Sequence, residues 1–500
     1  MNIGELVSRM SNIFTMYRGM SFGLLAIWAV AFVLAFFGQI SYSPIAMLAS
    51  LLVAVAGVYG ASYACGKIFN VNVHGESSLI TGIILALIIS PTLEVGGLVV
   101  LLFAGIIAGV SKFILVHNGR HIFNPAALAA FVVGVAGLGG ASWWVATPVL
   151  APIVLLVSGI VLYKSHRLLV AGVFLTVAVP ILLIVFSTYG TTFLESSYLL
   201  LSWPLLFFAG VILIEPLTLP PRKWQMYVEA AIVGVLFAVP FNLIVVDMTP
   251  ALAILVGNIV ATVFLARERI SLVFKKRRPL TPTTDEYIFT PNKPIHFTAG
   301  QYLEVQLPHK KADFRGYRRS FSVTSAPGKD EIALGIKFYT PSSSFKSALK
   351  ALPIGSKISA TGYWGDFVLP KNTSTPVLYI AGGIGITPFI SHLQATEKDI
   401  RNTILIYAVN NPDEIAYKEI LVRSGIKVII VTKEKIQDLP CGWKQIKNSR
   451  IYQDVIAKSV TDITKRHAYI SGPTPFVGSA KRALKALKAK RIETDYFVGY

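Results

Sequence analysis

Charged residues are distributed so unevenly along this chain that its two parts cannot share one environment. Residues 1–266 contain 9 Lys or Arg and 7 Asp or Glu, whereas residues 267–500 contain 37 and 19. The first part is apolar enough to lie in a lipid bilayer. The second part has the composition of a soluble domain and carries +18 of the net charge of +20. A multidomain protein is therefore predicted, with a membrane domain at 1–266 and a basic linker at 267–282 before a soluble module.

The apolar part divides into ten segments, each of which is a candidate membrane helix. Crossing the hydrocarbon takes about 20 apolar residues, and most of the segments approach that length. The third and fifth are short enough to be half-helices or tilted, buried segments. An all-α polytopic bundle of about ten helices is expected. The segments are residues 19–37, 44–66, 78–90, 95–116, 125–140, 145–163, 168–186, 198–214, 227–246 and 249–266.

Basic residues alternate between the loops that join these segments. The odd-numbered loops contain no Lys or Arg, and the even-numbered loops contain Lys67, Arg120, Lys164, Arg167, Arg222 and Lys223. Because basic loops are retained on the cytoplasmic side, both termini and the soluble module are predicted to be cytoplasmic. The protein is then a multi-pass protein of the cell (inner) membrane, and Thr147 faces outward.

The two cysteines and the basic charge narrow the classes of partner. Cys65 and Cys441 are too few for a disulfide framework, a structural zinc site or an iron–sulfur cluster, so no metal site is expected. No nucleic-acid recognition motif accompanies the positive charge, so no nucleic-acid partner is expected. A basic module tied to a membrane is best explained by anionic lipid head groups and anionic cofactors.

The second half changes to strand patterns and then to alternating strands and helices. From Tyr287, short β-branched runs such as FTAGQYLEVQLP and EIALGIKFYT are separated by turns. Their spacing predicts a small antiparallel β-barrel at residues 283–372. After Pro376, VLYIAGGIGITPFISHL has the pattern of a buried strand, a glycine-rich turn and a helix. The alternation that follows is typical of an α/β doubly wound sheet, predicted for residues 373–500.

A candidate flavin site lies in the barrel. The segment RRSFSVTS contains Arg319 to Ser325 and resembles the Arg-x-(Tyr/Phe)-Ser-x-x-Ser motif of the ferredoxin–NADP⁺ reductase superfamily, in which a barrel precedes a nucleotide-binding domain. Arginine suits the FAD pyrophosphate because its planar fork makes paired, charge-assisted hydrogen bonds. The resemblance implies that the aromatic ring lies on the isoalloxazine and that Ser322 acts at the flavin N5 edge. FAD-binding residues implied by it are Arg319, Ser320, Phe321, Ser322, Thr324 and Ser325, with Ser343, Ser344 and Phe345 at a helix N-terminus.

A candidate dinucleotide loop follows the first strand of the α/β domain. Glycines there let the backbone approach the phosphates, and the following helix N-terminus favours an anion. The loop resembles that of the same superfamily, and a second element resembles its Cys-Gly-x segment with serine in place of cysteine. The C-terminal Tyr500 is implied to stack on the flavin. The implied nucleotide-binding residues are Gly382, Gly383, Gly385, Thr387, Pro388, Ser471, Gly472 and Pro473.

The sequence favours NADH over NADPH as the dinucleotide. NADPH-using relatives place a cation after the second strand of this sheet to take the 2′-phosphate. Here that strand is followed by Asn410-Asn411-Pro412-Asp413, which contains no cation. Lys433 and Lys435 after the next strand leave NADPH open.

Three strings in the membrane half are similar to a known family. GESSLITGIILALIISP (75–91), NGRHIFNPAALAAF (118–131) and LLFFAGVILIEPLTLPP (205–221) resemble the D subunit of the Rnf electron-transport complex and the B subunit of the sodium-translocating NADH:quinone oxidoreductase. The resemblance implies a ten-helix, flavin-bearing subunit that couples electron transfer to Na⁺ or H⁺ movement. It also implies FMN on a threonine through a phosphoester, for which Thr147 is the nearest match, although the family's Ser-Gly-Ala-Thr reads here Trp144-Val145-Ala146-Thr147. Asn124 is a candidate donor to a flavin ring edge.

The function predicted from these parts is an FAD-dependent NAD(P)H oxidoreductase that passes electrons into its membrane domain. The acceptor is open: a quinone, a membrane flavin or a partner subunit of an electron-transport complex. A haem-containing transmembrane reductase would need paired axial histidines inside helices, and His74, His117, His121 and His166 all fall in predicted loops. Two alternatives stay open, which are ferredoxin-linked electron transfer by the same module and a transporter whose flavin domain only senses redox state.

Overall fold

A computed structural model describes residues 16–69, 71, 73–117, 120–240, 247–264, 269–310, 312–313, 316–396, 401–448 and 451–497. The chain separates into two compact units, Met1–Ala266 and Arg267–Tyr500. The predicted flavin-stacking residue Tyr500 lies outside the described residues.

The first unit is built of helices with one short hairpin. The helices are α1 (Met16–Phe36), α2 (Pro44–Ile68), α3 (Gly75–Ile88), α4 (Val95–Ile114), α5 (Pro125–Val135), α6 (Ala151–Lys164), α7 (Leu168–Thr188), α8 (Phe193–Ser202), α9 (Leu205–Phe207), α10 (Lys223–Ala238) and α11 (Pro250–Phe264). A π-helical turn, Phe208–Ile212, continues α9, and β1 (Val116–His117) pairs with β2 (Arg120–His121).

Only some of these helices are long enough to cross a membrane. Among the described residues, α1, α2, α4 and α7 have the required length and hydropathy, and α8 with the segment Leu205–Ile212 forms a fifth span if a 50° bend is allowed. The predicted bundle of about ten spanning helices is therefore not confirmed. The predicted segment 198–214 is broken after Ser202, and α3 and α5 are short, with 14 and 11 residues.

Short helices in an apolar unit need partners for their terminal backbone groups. At the end of α3 these come from the segment before α6. The Trp143 and Val145 amides donate to the carbonyls of Ile88 and Leu87 at 2.9 and 3.3 Å, and the Trp144 indole donates to the Ala86 carbonyl at 2.9 Å. At the start of α5, Asn124 caps the helix and Pro125 occupies its first turn.

The helices pack as two sets, α1–α5 and α6–α11, with contacts in the same order. In the first set α1 contacts α3, α2 contacts α4, and α4 contacts α5; in the second, α6 contacts the π-helical turn, α7 contacts α10, and α10 contacts α11. The two short helices that end the sets, α5 and α11, contact each other. This is the arrangement of an internal structural repeat.

The second unit begins with an antiparallel barrel. Its strands are β3 (Arg269–Thr281), β4 (Thr284–Pro291), β5 (Tyr302–Gln306), β6 (Arg318–Ser322), β7 (Ile332–Lys337) and β8 (Lys357–Trp364), and α12 (Ser344–Lys350) lies between β7 and β8. The sheet order is β6-β5-β8-β3-β4-β7. A bridge between Val323 and Leu334 joins the two edges, so the sheet closes.

The predicted basic linker is wrong for residues 269–281, which form the longest strand of the barrel. Ile270, Leu272 and Phe274 alternate into the core, as expected of a strand with one buried face. The basic run that follows stays on the strand because acidic partners face it. Lys275 pairs with Glu331, Arg277 with Asp285, and Arg278 with Glu286.

The rest of the second unit is a six-stranded parallel sheet with helices between its strands. The order is β12-β11-β10-β9-β13-β14, and every described pairing is parallel. The elements are β9 (Val377–Gly382), α13 (Thr387–Ala395), β10 (Thr403–Ala408), α14 (Lys418–Arg423), β11 (Lys427–Thr432), β12 (Lys444–Lys447), α15 (Gln453–Ser459), β13 (His467–Pro473), α16 (Thr474–Ala486) and β14 (Arg491–Phe497).

Candidate functional site

The predicted dinucleotide loop lies where the strand order of the parallel sheet reverses. Strand β9 has β10 on one side and β13 on the other, and ligands of such sheets bind beyond the carboxyl ends of strands at this switch point. Gly382 ends β9, a 3₁₀ turn covers Gly383–Ile386, and Thr387 begins α13. Ser471 pairs with Ala381 across the β9–β13 boundary, so the two predicted nucleotide-binding segments are adjacent.

Two glycines of this loop serve different purposes. Gly385 lies against β13, because a Cβ there would be 2.3 Å from the Ser471 carbonyl oxygen. Gly383 has a φ of +53°, and a Cβ at this position would meet no atom within 4 Å among the described residues. Gly383 is therefore the place where a ligand phosphate has room to approach the backbone.

The second nucleotide-side element offers a free hydroxyl. Ser471 is fully buried, and its Oγ has no hydrogen-bond partner within the described ranges. Buried hydroxyls are normally hydrogen-bonded, so Ser471 Oγ is an unsatisfied polar atom beside the predicted dinucleotide loop. Gly472 follows with a φ of +150° and passes close to Gly382, and Pro473 ends β13.

The predicted flavin motif lies at the end of β6. Arg319 and Ser322 point to opposite faces of a regular strand, so both could reach one cofactor only at a strand end or a bulge. Ser322 is the last residue of β6 and is buried. The Arg319 side chain is 13% exposed and its guanidinium lies 5.3 Å from the Phe345 ring centroid. Ser320 is exposed. The structure therefore brings the Arg319 guanidinium to the first turn of α12.

The Asp313 side chain, which the sequence did not point to, lies between the Arg319 guanidinium and the start of α12. Asp313 Oδ1 is 3.3 Å from Arg319 Nη2, and its Oδ2 accepts from the Ser344 amide at 3.2 Å. The Ser344 hydroxyl accepts from the Asp313 amide at 2.8 Å and contacts His309 Nε2 at 3.0 Å. The two oxygens of the Asp313 carboxylate thus contact the Arg319 guanidinium and the Ser344 amide. Two oxygens of a phosphate group could make the same two contacts.

Several residues of the predicted FAD set make contacts within the protein. Phe321 and Phe345 are buried together in the barrel core, with centroids 5.9 Å apart, so Phe321 presents no open face to an isoalloxazine. Thr324 is fully buried and donates to Glu286 at 2.9 Å. Ser325 Oγ accepts from the Ala333 amide at 3.2 Å, and Ser343 Oγ caps α12.

The barrel end is in direct contact with α13, the helix that begins at the dinucleotide loop. Ser391 on α13 donates to the Ser325 carbonyl at 2.9 Å, and Gln394 donates to the Thr324 carbonyl at 2.9 Å. Lys337 of β7 pairs with Glu414, which follows β10, at 2.8 Å. The helix that starts at the loop is therefore fixed to the strand end that carries the flavin motif.

Comparisons with known proteins agree with this arrangement. Residues 379–482 match the family described as the oxidoreductase NAD-binding domain. The soluble half is similar to reductases that carry this domain. The reductase component of propane 2-monooxygenase from Mycolicibacterium smegmatis is 28% identical over 220 residues, 41% of this chain and 61% of that protein. The flavohemoprotein of Bacillus cereus is 26% identical over 216 residues, 40% of this chain and 52% of that protein.

The relatives share only part of their length with this chain, which spans 57–64% of the propane 2-monooxygenase reductase components. Among solved structures, Amycolatopsis cytochrome P450 reductase GcoB aligns with a TM-score of 0.41 and 19% identity, covering 47% of this chain and 71% of that one. The flavohem-like FAD/NAD-binding domain of nitric oxide dioxygenase from Vibrio cholerae aligns with a TM-score of 0.40 and 18% identity, covering 45% and 98%.

A cavity of about 60 Å³ lies in the helical unit, at the short helices α3 and α5. The three sequence strings that carry the resemblance of the membrane half meet there, since Ser77, Asn124 and Glu215 all line it. Glu215 Oε1 lies 3.5 Å from His121 Nδ1. At roughly 10–15 Å³ of such space per water molecule, the cavity has room for a few water molecules.

Neither predicted flavin contact of the membrane half is supported by the local geometry. Asn124 Oδ1 accepts from the amides of Ala126 and Ala127 at 3.1 Å, and its Nδ2 donates to the Ile212 carbonyl at 3.4 Å. Its amide is therefore used to cap α5 and hold the π-helical turn. Thr147 precedes a turn, and the residue that caps α6 is Leu150. The Thr147 hydroxyl is inaccessible to solvent and has no hydrogen-bond partner in the described part.

A histidine that no sequence motif marks joins the two halves of the FAD/NAD module. His392 on α13 is fully buried, and its Nε2 lies 3.0 Å from the Phe367 carbonyl oxygen. Gly300 approaches it so closely that a Cβ there would be 2.2 Å from Nε2. Burial is the largest influence on the pKa of His392 and lowers it from 6.5 to about 4. Hydrogen bonds to the backbone of Phe367 and Ala299 raise the pKa but do not offset the effect of burial.

The module is expected to lose stability in mild acid through His392. His392 is protonated in the unfolded state below about pH 6.5, whereas in the folded state its lowered pKa keeps it neutral down to about pH 4. The unfolded state therefore binds more protons between these pH values, and acid favours unfolding. The free energy of unfolding should therefore fall by about 2 kcal/mol between about pH 7 and pH 5. Amide hydrogen exchange of α13 in the full-length protein, corrected for intrinsic rates, measures this. His392→Gln should flatten the dependence, whereas His296→Gln, at an exposed site, should leave it unchanged.

Proposed function

We propose that this chain is a membrane-bound flavoprotein that passes electrons from NADH through FAD in its soluble module into its helical half. The observation that carries the proposal is the contact between the flavin motif and α13, the helix that begins at the dinucleotide loop. Strand β6 ends at Ser322, and the hydrogen bond from Ser391 to Ser325 holds α13 against that end. A nicotinamide bound at the start of α13 would then lie near a flavin bound at the end of β6.

The residues present fit both cofactors. Arg319 is a partly exposed cation beside the start of α12, which suits the FAD pyrophosphate. The open backbone at Gly383 and the unpartnered Ser471 hydroxyl suit a dinucleotide. When bound, FAD takes a hydride from the nicotinamide and releases electrons one at a time. The chain's own contribution is to position the two rings and to exclude water from the cleft.

NADH is the proposed substrate rather than NADPH. The segment after β10 presents Asp413 at the surface, and Glu414 is neutralised by Lys337. A carboxylate at this position can accept from a ribose 2′-hydroxyl and repels a 2′-phosphate. Lys433 lies beyond β11, the neighbouring strand, and is exposed.

We propose that the helical half is inserted with the module on the cytoplasmic side. Support comes from the alternation of basic loops and from the four described helices that are long enough to span a bilayer. In a background lacking Cys65 and Cys441, an impermeant thiol reagent added outside intact cells should label Ser142→Cys and not Ser165→Cys. Labelling of Ser165→Cys alone would reverse the orientation.

The resemblance of the helical half to the Rnf D and NADH:quinone oxidoreductase B subunits supports coupling of electron flow to Na⁺ or H⁺ movement. The acceptor is then a quinone, a second flavin or a partner subunit. A covalent FMN at Thr147 is the form of that second flavin which the resemblance suggests, and attachment would require the Thr147 hydroxyl to become exposed.

The experiment that tests the proposal measures flavin content and turnover of the purified full-length protein. Acid-released flavin should be FAD at about one per chain, and NADH should reduce ferricyanide with kcat/KM at least about tenfold above that for NADPH. Flavin that stays with the denatured protein and disappears in Thr147→Ala would establish the FMN site. Protein that contains no FAD, or that is not reduced by either nucleotide, would refute the proposed function.

A further inference from the structure

Among the described residues of the first unit, one glutamate is buried within the helices, and it is not part of the cavity lining. Glu229 lies on α10, and none of its surface is exposed. Ionisable side chains inside apolar helices are costly and are retained chiefly where they carry protons, ions or substrates. Neither the FAD/NAD module nor the proposed electron transfer gives Glu229 a role.

The contacts of Glu229 are those of a carboxylic acid rather than of an ion pair. Asn258 on α11 is also fully buried, and its Nδ2 lies 3.5 Å from Glu229 Oε1. The other oxygen, Oε2, has no hydrogen-bond partner among the described residues. A carboxylate left with one long hydrogen bond would cost several kcal/mol in such surroundings, whereas the protonated acid carries no charge.

The charged groups around Glu229 are few. Helices α7 and α11 pack against α10, and the sequences of both contain no ionisable side chain. The Arg167 guanidinium, at the N-cap of α7, acts on Glu229 electrostatically while it donates to the Ile214 carbonyl. On α10 itself the other titratable groups are Lys223 and Tyr227.

A chain of hydrogen bonds connects Glu229 to the cavity. Asn258 Oδ1 accepts from the Asn124 amide at 2.8 Å. Asn124 lines the cavity together with Ser77 and Glu215. Asn258 therefore donates to Glu229 through its Nδ2 and accepts from the backbone amide of Asn124, in the cavity wall, through its Oδ1. These two hydrogen bonds orient the Asn258 side chain between Glu229 and the cavity.

We propose that Glu229 is a proton-binding site of the helical half, held by Asn258 as a positioning residue. In the resting protein the Glu229 carboxyl carries its proton. During turnover the O–H bond breaks and the proton passes to water on the cavity side, and the carboxylate then takes a proton from water that reaches it from the opposite side of the membrane. The resting-state part stands independently of electron transfer, and only the exchange during turnover rests on the proposed function.

Infrared difference spectroscopy tests the resting state in the full-length, FAD-loaded protein. The spectrum of the wild type minus that of Glu229→Gln at neutral pH should show the carbonyl band of a protonated carboxylic acid. Glu195→Gln, which replaces an exposed glutamate, should show no such band. Glu229→Asp should keep a shifted band, which guards against misfolding of the glutamine variant. A carboxylate band in place of the acid band would overturn the proposal.

The role of Asn258 has its own readout. Asn258→Leu should shift the frequency of the Glu229 acid band, because the hydrogen bond to Oε1 is lost, and Asn258→Gln should restore part of it. A merely structural asparagine would leave the frequency unchanged, and that result would remove it as a positioning residue.

Exchange during turnover is measured in vesicles that contain the full-length protein and an entrapped pH-sensitive dye. Addition of NADH with a quinone as electron acceptor should change the internal pH in the wild type, and Glu229→Gln should abolish the change while NADH reduction of ferricyanide, measured separately, continues. Vesicles without ferricyanide reduction would point to failure of the proposed function. An unaltered pH change in Glu229→Gln would overturn the exchange step.

Discussion

Gly383→Val is expected to abolish reduction of the flavin by NADH while leaving FAD bound. Gly383 has a φ of +53°, and a Cβ there would meet no chain atom within 4 Å among the described residues. The new side chain would therefore project into the space kept for the dinucleotide phosphates rather than into the fold. Because displacement of a substrate by about 1 Å can cost about 100-fold, the rate of flavin reduction should fall at least that much. Stopped-flow absorbance of the oxidised flavin measures it.

The control for this variant must reproduce its backbone strain. Gly425 has a φ of +63° and equally open surroundings, at a turn in the same domain. Gly425→Val should carry a similar cost of about 1–2 kcal/mol for a left-handed non-glycine residue and should retain NADH reduction. If the two valine variants lost activity to the same degree, strain would explain both, and the loop would lose its assignment as the phosphate site.

The elements that could be predicted from the sequence are those specified by local patterns. The strand, glycine turn and helix around Gly382–Pro388 are a local signal, and the structure has β9, a 3₁₀ turn and α13 there. The barrel strands follow their alternation in the same way. By contrast, strand β3 was missed because its basic run resembles a linker. Its partners Glu331, Asp285 and Glu286 lie elsewhere in the chain, where no local pattern pairs them with it.

The same limit applies to the site residues. Asn124 followed by Pro125 is a helix N-cap signal and equally a flavin-contact candidate, and only the hydrogen bonds to Ala126 and Ala127 distinguish them. Helix lengths are a second case, because an apolar run does not show where a helix breaks. The predicted segment 227–246 continues past Ala238, where α10 ends. Asp313 could not be predicted at all, since its two partners come from β6 and α12.

Arg319→Ala is expected to weaken FAD binding by about 10- to 100-fold, the effect of losing charge-assisted hydrogen bonds of about 1.5–3 kcal/mol. The Arg319 side chain is 13% exposed beside the start of α12. In the predicted motif, Arg319 is the cation assigned to the FAD pyrophosphate. Fluorescence of the FAD released on dilution of the purified protein gives the dissociation constant. Arg318→Ala is the neighbouring control, because Arg318 is oriented toward Glu304 at 3.7 Å.

The Asp313→Ala variant separates two explanations of Arg319. If Arg319 only holds the loop through Asp313, removing either partner of the 3.3 Å pair should weaken FAD binding equally. If Arg319 holds the pyrophosphate, the Asp313 carboxylate competes with FAD for the guanidinium and for the Ser344 amide. Asp313→Ala should then bind FAD as tightly as the wild type or tighter, and the double variant should resemble Arg319→Ala. If Arg319→Ala and Asp313→Ala weakened FAD binding equally, Arg319 would only stabilise the loop. The FAD phosphates would then have no assigned cation.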